Sequence, residues 1–182
     1  MGAVIHIAGA RAHGAIESLD RDAVDELLGP EFDAGLQLHE LTKGMDLSAF
    51  VLFSSAVGVL GSPEQCGYAA ENAFLEALAV RRRQLGLAAT SLAWGLFGVD
   101  EGVSSQLDHL EQARMQRPLA MMSTEEGLRL FDVACARSEP VLMPARMDIG
   151  ALRGQARFGV LPALLSGLVR VPPRRDRATL AH

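Results

Sequence analysis

Residues 50–55, Phe50-Val51-Leu52-Phe53-Ser54-Ser55, decide the fold. Four consecutive apolar side chains leave no polar face, so the segment reads as a strand buried on both sides, as in a parallel sheet sandwiched between helices. Ser54-Ser55 followed by Gly58 and Gly61 reads as a small polar turn and a loop. Two more runs repeat the pattern: Ala3-Val4-Ile5-His6-Ile7-Ala8, closed by Gly9, and Ala88 to Trp94, closed by Gly95. Pro140-Val141-Leu142-Met143-Pro144 gives a short fourth strand. Helical patterns lie between the runs. Asp20 is an N-cap for a helix ending at Leu28, where Gly29-Pro30 stops it, and Pro30 opens a second helix to about Thr42. From Tyr68 to Leu85, the residues Tyr68, Asn72, Leu75 and Ala79 recur at helical spacing. Arg81-Arg82-Arg83 reads as a solvated cationic end near the negative pole of that helix, and Gly86 as its stop. Ser123 with Glu126 makes a capping box for a helix to about Arg137, and residues 149–156 and 160–169 read as two short helices. The alternation implies an α/β fold: a parallel sheet with helices on both faces, built by right-handed crossovers.

Composition agrees. With 182 residues, 49% hydrophobic and 21% charged, the chain suits a single globular domain and excludes global disorder. A net charge of −5 offers no general attraction to nucleic acid or anionic lipid. Cys66 and Cys135 stand far apart with no Cys/His cluster, which argues against a disulfide framework or a zinc site and for a reducing cytoplasm. No apolar run reaches the ~18 residues of a membrane span, and the amino end lacks a signal-peptide pattern.

The chemistry sits where Ser55 ends its strand and Tyr68, thirteen positions on, opens a helix with Asn72 one turn later. Open α/β sheets bind ligands at the carboxyl ends of their strands, where these three polar groups converge. A serine hydroxyl there can hold a carbonyl oxygen while a tyrosine hydroxyl gives it a proton, the acid catalysis of carbonyl reduction. Taken singly, Ser55 also suits a strand-end turn and Tyr68 a solvated helix start. His6 and His39 read as buried, satisfied histidines, Cys66 as a small apolar filler, and Trp94 as core or crevice wall.

Taken together, several segments resemble the ketoreductase domain of modular type I polyketide synthases, a branch of the short-chain dehydrogenase/reductase superfamily. They are His6-Ile7-Ala8-Gly9, Leu38-His39-Glu40-Leu41-Thr42, Val51-Leu52-Phe53-Ser54-Ser55, Gly61-Ser62-Pro63, Tyr68-Ala69-Ala70-Glu71-Asn72 and Leu92-Ala93-Trp94-Gly95. A weaker match continues through Pro144-Ala145-Arg146 and Leu161 to Leu165. The resemblance implies the C-terminal half of a Rossmann-like fold over residues 1–170, a substrate lid at about 98–118, and a Pro/Arg-rich linker at 171–182. It implies that Ser55, Tyr68 and Asn72 are catalytic and that Ala8, Gly9, Trp94 and Gly95 border the nicotinamide end of NADPH. The implied substrate is a β-ketoacyl chain on an acyl carrier protein. The implied partners are that carrier and the amino-terminal half of the domain or neighbouring synthase domains.

Two departures temper this. The family's catalytic lysine lies seven residues before the leucine of the LHELT segment, which here is Glu31. An ammonium there would favour a tyrosinate, whereas a carboxylate opposes it. Lys43, the nearest alternative, lies beyond the far end of that helix. No glycine-rich phosphate-binding turn occurs in the sequence. The first strand resembles the family's fourth, so Ala3 to Ala8 would present a flat apolar edge awaiting a partner. Residues 11–13, Arg11-Ala12-His13, and Leu60 stand where relatives that set product stereochemistry carry Leu-Asp-Asp or a Trp. The competing class is therefore a reduction-inactive structural remnant, and a remoter one an unrelated α/β interaction module.

Overall fold

The structure is a computed structural model that describes residues 2–7, 16–19, 21–62, 65–97 and 118–170. Ala8, Gly9, Asp20, the lid segment up to residue 117 and the 171–182 tail lie outside the described residues.

Strand β1 (Gly2–Ile7) leads, past a 3-10 turn at Ile16–Ser18, to helix α1 (Arg21–Thr42). Strand β2 (Leu47–Ser55), helix α2 (Ala56–Leu60), helix α3 (Cys66–Gln84) and strand β3 (Thr90–Trp94) follow. After β4 (Leu119–Ala120) come α4 (Thr124–Cys135), β5 (Val141–Leu142), β6 (Arg146–Met147), α5 (Ile149–Phe158) and a 3-10 segment at Ala163–Leu168. The main sheet has the order β1-β2-β3-β5, and every pairing in it is parallel. Ser91 N–H to Pro140 C=O and Gly95 N–H to Pro144 C=O extend the last pairing across the whole 140–144 run.

Alternation along β2 explains the two cores. Phe50 and Leu52 face α1 and α3, packing with Leu75, Leu78, Ala79 and Ala89. Val51 faces α4, in a cluster with Leu92, Trp94, Met122 and Ala134 against which Phe53 and Phe131 pack. A third cluster, Leu152, Leu165 and Val169, gathers Leu60 and Met147 under the carboxyl-terminal helices.

The structure corrects several sequence expectations. Helix α1 does not stop at Gly29-Pro30; it runs through them. Its second half is fixed on α3: the Phe32 and Phe74 rings meet at 4.2 Å, and an added Cβ at Gly35 would lie 3.2–3.4 Å from Phe74, Leu75 and Leu78. Such packing outweighs the local cost of an interior proline. Strand β1 is not buried on both faces, because Ile5 and Ile7 are 54% and 69% exposed. The 54–58 stretch is not a loop: β2 continues to Ser55, which caps α2. Arg82 is not solvated; it is 1% exposed. The antiparallel β4–β6 pair was not anticipated, its strands being two residues each. Among the described residues, no helix is long and apolar enough to cross a membrane.

Candidate functional site

The carboxyl ends of β2 and β3 and the start of α3 meet at one end of the sheet. Ser55 is the last residue of β2 and pairs in register with Trp94, the last of β3. It is also the N-cap of α2, and its Oγ accepts the Val57 N–H at 3.2 Å. That bond uses an oxygen lone pair and leaves the hydroxyl proton available to an outside acceptor. Its neighbour Ser54 is differently committed: its Oγ accepts from Ser91 Oγ at 3.1 Å and donates toward Glu76 Oε1 at 3.4 Å. The pleat sends Ser54 toward α3 and leaves Ser55 at the strand mouth.

Tyr68 lies half-buried in the first turn of α3. Asn72, one turn on and buried, donates through Nδ2 to the Tyr68 carbonyl at 2.7 Å. An asparagine within a helix is unfavourable by propensity, and this back-bond uses the side chain to satisfy backbone instead. Glu76 continues the same stripe at the next i+4 step. Burial pushes its carboxyl above the usual range, and the Ser54 hydrogen bond opposes the shift. The Ser91–Ser54–Glu76 chain was not anticipated from the sequence, although the 68/72/76 spacing already placed Glu76 on the tyrosine's face.

Trp94 packs between Phe53, centroids 5.4 Å apart, and Phe97 at 5.2 Å. Its indole Nε1 is buried and has no hydrogen-bond acceptor among the described residues. Gly95 is required by close approach: an added Cβ would lie 2.8 Å from Ala145 Cβ and 3.0 Å from its Cα. Of the seven sequence-designated residues, the described structure brings Ser55, Tyr68, Asn72, Trp94 and Gly95 to this end of the sheet. Ala8 and Gly9 lie outside the described residues.

The two candidates for the lysine position part company. Lys43 follows the carboxyl end of α1, ahead of the amino end of β2, and is paired with Glu40 on the surface. It therefore stands at the end of the sheet opposite Tyr68. Residue 31 precedes Phe32, so the Phe32–Phe74 contact sets its backbone near the start of the third turn of α3. Leu60 is turned into the third core cluster.

Comparison with known proteins identifies the family and the fold. The family model described as KR domain matches residues 1–98. The chain is 51% identical over 178 residues to the polyketide synthase GfsB of Streptomyces halstedii, a match covering 97% of this chain and 3% of that protein. It superposes on the solved structure of an A1-type ketoreductase with a TM-score of 0.79 at 37% identity, covering 91% of this chain and 34% of that one. The angucycline C-6 ketoreductase LanV, solved with bound NADP, shares the fold at a TM-score of 0.64 and 18% identity, covering 79% of this chain and 61% of that one. The chain thus spans a small part of the synthase and about a third of the A1-type ketoreductase.

Proposed function

The chain belongs to the KR domain family of polyketide synthases, its parallel sheet being part of their Rossmann-like fold, and we propose that it contributes the proton-donating side of a β-ketoacyl reductase. The observation that carries this reading is the hydrogen bonding of Ser55, whose hydroxyl accepts from Val57 and keeps its proton for a substrate oxygen. The substrate we assign is a β-ketoacyl thioester on an acyl carrier protein, and the compartment a reducing cytoplasm.

In this mechanism, Ser55 O–H holds the β-carbonyl oxygen at the mouth of β2. Tyr68, in the first turn of the adjoining helix, gives that oxygen its proton as negative charge builds on it, and the product is the β-hydroxyacyl thioester. Asn72 keeps the first turn of α3 closed through the Tyr68 carbonyl, which fixes the backbone that carries the phenol. NADPH, when bound, supplies the hydride. The residues present suit its nicotinamide end: the buried Trp94 Nε1–H is a donor in want of an acceptor, matching a carboxamide oxygen, and Gly95 adjoins it. Ala8 and Gly9 would complete that border. The phosphates need donors from elsewhere, since the sequence has no glycine-rich turn to cradle them. We assign that role to the amino-terminal part of a ketoreductase domain, docked beside β1.

Glu31 favours a second reading, a fold-preserving chain that does not reduce. By family resemblance the lysine that favours the phenolate left on Tyr68 belongs at this position, and a carboxylate in its place disfavours that phenolate. One experiment separates the two. The chain is joined to the amino-terminal part of a relative's KR domain, and NADPH oxidation is followed with a model β-keto thioester. Slow turnover that rises at least tenfold in Glu31→Lys, and falls about 10²- to 10⁴-fold in Tyr68→Phe, supports the reductase reading with Glu31 as its brake. Equal turnover in parent and Glu31→Lys removes Glu31 from the argument, and no turnover in either leaves the inactive reading.

A further inference from the structure

Among the described residues, helix α2 is the element between the Ser55 strand end and the segment leading to Tyr68, and it meets α3 at a point without a side chain. An added Cβ at Gly58 would lie 2.9 Å from Asn72 Cβ, 3.1 Å from the Ala73 backbone nitrogen and 3.0 Å from Glu76 Oε1. Two of these three neighbours cannot swing away, because one is backbone and the other a Cβ fixed to it. Nor can α2 easily retreat, since Ala56 and Val57 are buried. Two of the three residues that would be struck, Asn72 and Glu76, belong to the stripe that carries Tyr68. Asn72 is tied to the Tyr68 carbonyl, and Glu76 is tied through Ser54 to β2 and Ser91 of β3. Three residues before Gly58, Ser55 is both the N-cap of α2 and the strand terminus.

We infer that Gly58 is a positioning residue: by letting α2 rest directly on the Asn72–Glu76 turn, it sets the separation of the Ser55 and Tyr68 hydroxyls. This rests on the reading of those two as the proton-donating pair. A methyl at position 58 must move from 2.9 Å to ordinary contact at 3.4–4 Å, a displacement of at least 0.5 Å that α2 transmits to Ser55. Neither hydroxyl is removed, so substrate binding is retained while the geometry of proton donation is lost. Misplacement of reacting groups by about 1 Å can cost ~10²-fold in rate.

The test compares Gly58→Ala with the parent in the full chain, joined as above, by crystal structure and by kinetics. The expected result is a Ser55 Oγ to Tyr68 Oη separation changed by 0.5 Å or more, with kcat reduced about 10- to 10²-fold and KM within threefold. Gly44→Ala is the control, because nothing lies within 4 Å of a Cβ there, and it leaves both quantities unchanged. An unchanged separation in Gly58→Ala overturns the proposal whatever the activity. A parent that reduces nothing defeats the catalytic reading alone, since the separation is still measured. Should Gly58→Ala fail to fold, the Gly58→Ala/Glu76→Ala double variant removes the movable neighbour and keeps the other two. A shifted separation in the double variant supports the proposal, and a parental one overturns it.

Discussion

Arg82 shows how much one residue can hold when its surroundings suit it. Its guanidinium lies 3.7 Å over the Phe50 ring and donates to the Ala88 carbonyl at 3.2 Å, Thr42 Oγ1 at 3.1 Å and His39 Nδ1 at 3.1 Å. Thr42 sends its own proton to the Leu38 carbonyl, which frees its lone pairs for the arginine. A guanidinium has no acceptor, so Nδ1 of His39 must accept, and the ring is neutral with its proton on Nε2. Burial is the main cause holding the His39 pKa below its usual value; Arg82 is next, Lys43 and Arg81 act in the same sense, and Glu40 opposes them. The unfolded chain takes up this proton as pH falls through about 6.5, while the folded chain resists it. Stability is therefore intact above that pH and declines below it, until the lower folded pKa is passed. The Tm should drop between pH 7 and pH 5, and His39→Gln, which keeps an acceptor but cannot titrate, should flatten that part of the drop. An unaltered slope in the variant would remove His39 as the cause. The burial of Arg82 was legible in the sequence. Three consecutive helical residues point 100° apart, and Arg82 alone of the three follows Leu75, Leu78 and Ala79 along the buried stripe. Reading Arg81–Arg83 as one charge run hid this.

At the scale of elements, what was legible was whatever carries a local chemical signature. The Ser123/Glu126 capping box forms in both directions, with Glu126 N–H to Ser123 Oγ at 3.2 Å and Ser123 N–H to Glu126 Oε2 at 2.9 Å. β1 (Gly2–Ile7), β2 (Leu47–Ser55) and β3 (Thr90–Trp94) fall within or across the three apolar runs, since a continuous apolar segment has few other uses. What was hidden depended on contacts distant in sequence. Helix α2 is five residues long, too short for a helical period to show, and β4 and β6 exist only through each other. The unbroken α1 is the clearest case, because Gly29-Pro30 is a sound local stop signal that packing against α3 overrides. Inside the helix, Pro30 offers no N–H to the carbonyl four residues back. Pro30→Ala should restore that bond and stabilise the fold by about 1–3 kcal/mol, reduced somewhat because proline also restricts the unfolded chain. Urea denaturation would show it as a higher midpoint with an unchanged slope. A lower midpoint would mean that the helix depends on the proline geometry at this position.

At the scale of the molecule, the sheet is asymmetric in how it is covered. Helices α1 and α3 cover one face, and Val4 of β1 packs with them, while α4 covers the other face over β2 and β3. The odd residues of β1, Ala3, Ile5 and Ile7, point to that second face and are exposed. Among the described strands, β1 pairs only with β2, so its outer N–H and C=O groups face away from the sheet. Natural edges are usually blunted by a lysine, a proline or a bulge pointing outward. In Gly2–Ile7 there is neither Lys nor Pro, and the only register irregularity lies at Gly2/Ala3, leaving Ala3–Ile7 regular. Covering an exposed isoleucine stabilises by about 1.5–3 kcal/mol, and two side by side next to free ladder groups suffice to drive association. The 182-residue chain purified by itself should therefore have a light-scattering mass above that of one copy, rising with concentration. Ile5→Lys/Ile7→Lys should return it to a single copy by placing charge on the uncovered face. Joining the chain to the amino-terminal part of a relative's KR domain should do the same with β1 unaltered, because a docked strand satisfies the edge where the lysines only repel a second copy. If the lysine variant associates as strongly as the parent, the contact lies elsewhere and β1 is not the docking edge. If the variant is monomeric but the joined protein still associates, β1 is sticky without being the place where the sheet is continued, and the assignment of the phosphate-holding part to that side fails with it.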